Sequence, residues 1–149
     1  MDEIVAVNEA KQYIVVKLDG EQYVIDISFV DNIVRMQQIT RVPKAQYYFA
    51  GVINLRGEII PVMNLRVKFG LESKESNGAT RIIIVKPENN AKIGILVDEV
   101  REVVTLEEED IEKVDYDEQG VSLLGVGKYK ETLISLLNIQ GIISELDNG

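Results

Sequence analysis

Tyr13-Ile14-Val15-Val16-Lys17-Leu18, then Asp19-Gly20, then Tyr23-Val24-Ile25-Asp26-Ile27 is the stretch on which the fold turns. Two runs rich in β-branched and aromatic residues flank an Asp-Gly pair, which predicts a β-hairpin. The same pattern returns at Arg81-Ile82-Ile83-Ile84-Val85-Lys86, a turn at Pro87 to Asn90, and Lys92-Ile93-Gly94-Ile95-Leu96-Val97. Placing Ile82 on Ile14 gives an offset of 68 residues and placing Val97 on Ile27 gives 70, so the second hairpin reads as two residues longer. Val100 then falls on Val30 and Val103 on Ile33; further on, an offset of 74 pairs Gly125-Val126 with Gly51-Val52, Ile134 with Ile60, Leu136 with Val62 and Asn138 with Asn64. Three segments matching in order point to an internal duplication.

Between the copies, Leu71 to Thr80 is polar and turn-rich, with no apolar face to bury, and reads as the seam. The duplication therefore predicts an all-β chain of two small barrels, about 14–80 and about 81–146, each of about five short strands, with a groove between them. One larger barrel is the alternative. Gly51-Val52-Ile53-Asn54-Leu55 and Ile59-Ile60-Pro61-Val62-Met63-Asn64-Leu65, joined by Arg56-Gly57-Glu58, predict another hairpin, with Gly57 supplying a positive φ. Pro61 cannot donate to a ladder, so its strand is expected at an edge or with a bulge. Helix is expected only in short pieces: near Ile27 to Met36, at a capping box over Thr105-Leu106-Glu107-Glu108, and over Ile139 to Leu146.

Composition narrows the chemistry. The 149 residues are 46% hydrophobic and 6% aromatic with no Trp, so Ile, Val and Leu must build the core. Sixteen Lys and Arg against 25 Asp and Glu give a formal charge of −9, which opposes nucleic acid and anionic lipid. The start Met1-Asp2-Glu3 has no secretory character and no apolar run is long enough to cross a bilayer, so a cytoplasmic location is expected. With neither Cys nor His, thiol nucleophiles, thiolate metal sites and the commonest general base are excluded.

The remaining constellations are weak. Glu107-Glu108-Glu109-Asp110 with Glu112 are neighbours on one short element and do not converge, so a solvated helix start is the better reading than a metal site. Asp115-Tyr116-Asp117-Glu118-Gln119-Gly120 imitates a calcium loop, but its twelfth position is Val126 instead of a bidentate Glu. The glycines form no phosphate fingerprint, and Ser28 and Ser135 have no histidine to activate them. No metal, cofactor or enzymatic activity is expected. Arg56, in a turn between two apolar strands, could offer a planar cation to a partner carboxylate, though a solvated turn arginine fits its position better when nothing else is considered.

The run from Gly51 through Val52-Ile53-Asn54-Leu55-Arg56-Gly57-Glu58-Ile59-Ile60-Pro61-Val62-Met63-Asn64-Leu65 to Arg66 resembles the signature of the CheW family of chemotaxis coupling proteins. Ile39-Thr40-Arg41-Val42-Pro43 and Ile93 to Val100 look like further family elements in family order, and the likeness runs over roughly residues 12 to 146. The resemblance implies two SH3-like five-stranded barrels, with the segment 1–13 able to cross to the second. It also implies a free-standing, non-enzymatic adaptor at membrane-associated receptor arrays, coupling chemoreceptor cytoplasmic tips to the regulatory domain of the histidine kinase CheA. Carried over motif by motif, the receptor-binding groove would comprise Ile14, Ile27, Val30, Asp31, Arg56, Gly57 and Val100. Arg101, Val103, Leu123 and Val126 would be candidates for the kinase surface. Asn32 stands where many relatives carry Glu, so a charged contact would be missing or shifted to Asp31.

Overall fold

The computed structural model of the chain describes residues 10–87, 91–118 and 121–148. Eleven strands and two α-helices follow in chain order: β1 Lys11–Leu18, β2 Glu21–Asp26, β3 Val30–Arg35, β4 Phe49–Leu55, β5 Glu58–Asn64, α1 Leu65–Lys68, β6 Arg81–Val85, β7 Ile93–Val97, β8 Glu99–Leu106, β9 Ile111–Glu118, β10 Val121–Tyr129, β11 Thr132–Leu137 and α2 Ile139–Asn148. The protein is all-β with a few short helices, and its strands form two sheets. One has the order β8-β1-β2-β11-β10-β9, the other β3-β6-β7-β5-β4.

The chain does not divide at the expected seam. β1 and β2 lie beside β8 to β11, while β6 and β7 lie beside β3 to β5. The division into 14–80 and 81–146 is thereby corrected: the sheets hold residues 11–26 with 99–137, and 30–97. Each copy of the duplicated sequence gives its leading hairpin to the other's sheet. The links explain the exchange. Between β7 and β8 stands only Asp98, and a one-residue link is shorter than the two-residue loops of the commonest hairpins, so β8 continues into the neighbouring sheet. Between β2 and β3 a 3-10 turn, Ile27–Phe29, redirects the chain in the same way; Asp26 caps it by accepting from the Ser28 N–H at 2.9 Å. Residues 71–80 merely return the chain from α1 to β6 within one sheet. The crossing expected of 1–13 involves residues 11–26; positions 1–9 lie outside the described residues.

The exchange leaves the duplication intact in register. The parallel pairs Val62↔Gly94 and Leu136↔Val24 are equivalent under the two offsets of 74 and 70. The first offset is corrected by one residue. Val15↔Val24 matches Ile84↔Gly94, so β1 maps on β6 with an offset of 69, and the counterpart of Ile14 is Ile83. Because strand side chains alternate, that single residue exchanges the two faces. Tyr13, Val15, Val24, Val104, Leu106 and Ile134 form the inner cluster of the six-stranded sheet; Ile53, Ile60, Val62, Ile82 and Ile84 form that of the five-stranded one. Ile14, Val16, Ile25, Met63, Ile83, Val85 and Ile95, with Ile139, Ile142 and Ile143 of α2, fill the shared core. Each such side chain, fully buried, contributes about 1.5–3 kcal/mol.

Local signals locate the helices. Asn64 and Asn138, paired by the duplication, are both N-caps: Asn64 Oδ1 accepts from the Arg66 N–H at 3.1 Å, and Asn138 Oδ1 accepts from the Gly141 N–H at 2.9 Å. Thr105 belongs to β8, and the capping box sits two residues later, where Glu107 and Asp110 bracket a 3-10 turn, Glu108–Asp110. The segment after Ile27 is strand once that first turn ends. β5 is not an edge strand, yet Pro61 fits: its partner Val52 turns its own N–H and C=O toward Thr40, and the parallel ladder to β7 begins only at Val62.

Candidate functional site

Arg56 and Gly57 are the central residues of the two-residue β4–β5 turn, with φ of 54° and 85°. Both angles are positive, as a type I′ turn requires, and Gly57 takes its conformation without the cost a side chain would add. Asn54 Oδ1 accepts from the Gly57 N–H at 2.9 Å and fixes the turn. Arg56 is exposed, and no carboxylate among the described residues lies within ion-pair distance of its guanidinium. Ile59, just beyond, is 60% exposed.

Asp31 occupies a bulge in β3: Val30 pairs with Val85 and Asn32 with Ile84, leaving Asp31 unmatched. A bulge re-aims a side chain, and this carboxylate meets Lys92 Nζ at 3.4 Å. The same ammonium donates to Glu58 Oε1 at 3.2 Å. Lys92 thus ties the start of β3 to the tip of the β4–β5 hairpin, joining Asp31, Glu58 and the Arg56 turn in one charged corner. Its pKa is raised, first by the hydrogen bond to Glu58 and further by the charge of Asp31, against a smaller desolvation. Among the described residues Asn32 makes no charged contact; its Oδ1 accepts from the Ile33 N–H at 2.9 Å.

Ile27, Val30 and Val100 are half-buried and pack on the rim of the shared core. Ile14 does not line an open wall. It is 2% exposed, a floor residue sealed between the sheets, because the face of β1 that carries it looks into the shared core. That placement of Ile14 is corrected.

Arg101 is the bulged residue of β8, at the position Asp31 holds in β3, and its Nη1 meets Glu99 Oε2 at 3.3 Å. Val103 is 51% exposed on the same strand. Leu123 is half-buried against the shared core, whereas Leu124, at the β10 bulge, is 46% exposed. Val126 is half-buried in β10. Three strands separate β8 from β10, roughly 19 Å along the sheet at the usual strand spacing, so the pairing ladder does not unite these four residues.

Glu107 carries a raised pKa caused by its hydrogen bond and repulsion with Glu109, the mark of an exposed acidic cluster that repels itself. Among the described residues no group of three acids has a metal-holding arrangement. Asp115 to Glu118 end β9, and Gln119 and Gly120 lie outside the described residues. No described helix is long and apolar enough to cross a membrane.

Reading residues alone missed Lys92, Glu58 and Leu124. Lys92 and Glu58 stand 34 positions apart, and no spacing rule joins them. The bulge behind Leu124 was legible in part, since Gly125 marked the point where the ladder shifts.

The family model for the CheW-like domain matches residues 12–147. The chain belongs to the CheW family. It is 32% identical to the chemotaxis protein CheW of Helicobacter pylori, covering 92% of this chain and 84% of that one. It is also 32% identical to CheW of Bacillus subtilis, covering 93% and 90%. Among solved structures it is similar to the scaffolding protein TtCheW from Thermoanaerobacter tengcongensis, with a TM-score of 0.80, 32% identity, and coverage of 87% and 90%. Membership makes this chain a non-enzymatic scaffold that couples components of chemotaxis signalling, and the two-sheet architecture is that of the CheW fold.

Proposed function

We propose that this CheW-family chain links the cytoplasmic tip of chemoreceptors to the regulatory domain of the histidine kinase CheA, acting in the cytoplasm at membrane-associated receptor arrays. The observation that carries the reading is the Arg56 turn: an exposed guanidinium with no ion-pair partner among the described residues, its hairpin tip connected through Lys92 to Asp31 and so to the half-buried Val30. A helical hairpin laid over Ile27, Val30 and Val100 would bury its apolar ridge there, while Arg56 bonds one of its carboxylates or carbonyls. Gly57 supports a close approach, since nothing lies within 4 Å of where its Cβ would be. Arg101 and Val103 on β8, or Val126 with the neighbouring Leu124 on β10, would offer CheA a separate surface. Affinities in the micromolar range, roughly −8 kcal/mol per contact, suffice where linkage multiplies them.

Titration with a receptor-tip fragment tests this. Arg56→Ala should melt like the parent and bind the fragment about tenfold more weakly; Val30→Glu should bind it weakest, because it desolvates a charge in an apolar contact. Parent-like affinity in both folded variants would falsify the receptor site. Arg101→Glu should spare the receptor fragment and weaken the CheA domain; weakening of both would place the surfaces together.

A further inference from the structure

Among the described residues Arg56 has no carboxylate partner, despite having an acid almost beside it. Glu58 stands two residues away on the same hairpin tip, and elsewhere in this molecule a Glu and an Arg at that separation do pair: Glu99 with Arg101 at 3.3 Å. The tip of the β10–β11 hairpin also keeps its acid for itself, Glu131 meeting Lys128 at 3.8 Å. At the first tip Glu58 turns instead to Lys92, whose side chain is 26% exposed and is drawn toward β3 by Asp31.

We infer that Lys92 is a positioning residue for the receptor-tip site, holding Glu58 away from Arg56 so that the guanidinium is left for the partner. The inference rests on the reading of Arg56 under Proposed function. A guanidinium already paired must give up that bond before it can bind another carboxylate, which lowers its apparent affinity. Lys92 removes that competition, and like any lysine it is charged throughout the physiological range.

The test is a set of full-length variants titrated with a chemoreceptor-tip fragment at low and moderate salt, each with a melting curve. Lys92→Met should weaken binding about three- to tenfold, because Glu58 is released to pair with Arg56. Lys92→Met combined with Glu58→Gln, which removes the released carboxylate, should recover parent affinity. A purely structural role for Lys92, or direct contact with the receptor, would show no such recovery, and its absence would overturn the inference. So would parent-like binding of Lys92→Met alongside a weakened Arg56→Ala. Parent-like binding of Arg56→Ala would overturn the receptor reading itself and this inference with it.

Discussion

The two sheets are built to one plan and finished differently. In each, a bulge glycine lies against a crossing segment: Gly51 against Ile39-Thr40, and Gly125 against Ile111-Glu112. In the six-stranded sheet that segment grows into β9; in the five-stranded one it stops at the single bridge Thr40↔Val52. Val42-Pro43 explains the difference, because proline has no N–H to extend a ladder and also restricts the residue before it. The hairpin tips diverge as well. Arg56-Gly57 is anchored by Asn54, whereas Lys130-Glu131 places two side-chain-bearing residues at φ of 50° and 65°. The bulged residues carry opposite charges, Asp31 and Arg101. Duplication fixed the frame, and the two copies then acquired different chemistry at the same frame positions.

The glycines offer the largest break in that parallel. A Cβ at Gly51 would lie 2.2 Å from the Thr40 carbonyl oxygen, at a φ of 140°. Gly51→Ala should cost roughly 3 kcal/mol or more in urea unfolding. At Gly125 φ is not positive, so the cost is steric alone: a Cβ would lie 2.4 Å from Ile111 Cγ2, a methyl on a stiff β-branched side chain, and 3.0 Å from the Glu112 carbonyl oxygen, and Gly125→Ala should cost about 1–3 kcal/mol. Equal losses would mean that the two bulges are equally constrained.

Arg66 comes next, since its counterpart under the offset of 74 is the uncharged Gln140. Its guanidinium is nearly buried and meets Asp98 at 2.7 Å, Asp19 at 3.2 Å and the Glu72 carbonyl at 2.8 Å, stapling the β1–β2 turn of one sheet to α1 beside the other. Asp19 is more than half exposed, so the cost of Arg66→Met is discounted to about 2 kcal/mol by thermal unfolding. Gln140→Met should change little.

Removing the strain at the second tip should reverse the sign. Glu131→Gly should stabilise by about 1 kcal/mol, because only a weak exposed pair with Lys128 is lost, and Gly57→Ala should destabilise by a similar amount. The smallest effect concerns Tyr23, whose counterpart is Ile93. Burial, then the charges of Glu21 and Asp19, push its phenol pKa up. An unfolded tyrosine ionises near pH 10, so this contribution is complete below that pH and is lost as pH rises toward the folded value. Urea midpoints at pH 9 and 11 should therefore fall less steeply in Tyr23→Phe.

The sequence alone determined the hairpins β1–β2, β4–β5 and β6–β7, the turn chemistry at Asp19-Gly20 and Arg56-Gly57, and the duplication. All of these are written in local periodicity and in residues with particular backbone demands. It also made the signature around Arg56 legible, because that motif is contiguous. Tertiary structure alone decided which sheet each hairpin joins, the one-residue register that buries Ile14 with Ile83, the Lys92 bridge and the Arg66 staple. Two hairpins with nearly the same apolar pattern fit either sheet equally well by composition, and a strand edge does not name its partner. The one-residue link at Asp98 and the contacts of distant charges break that tie, and both act only when the chain is folded.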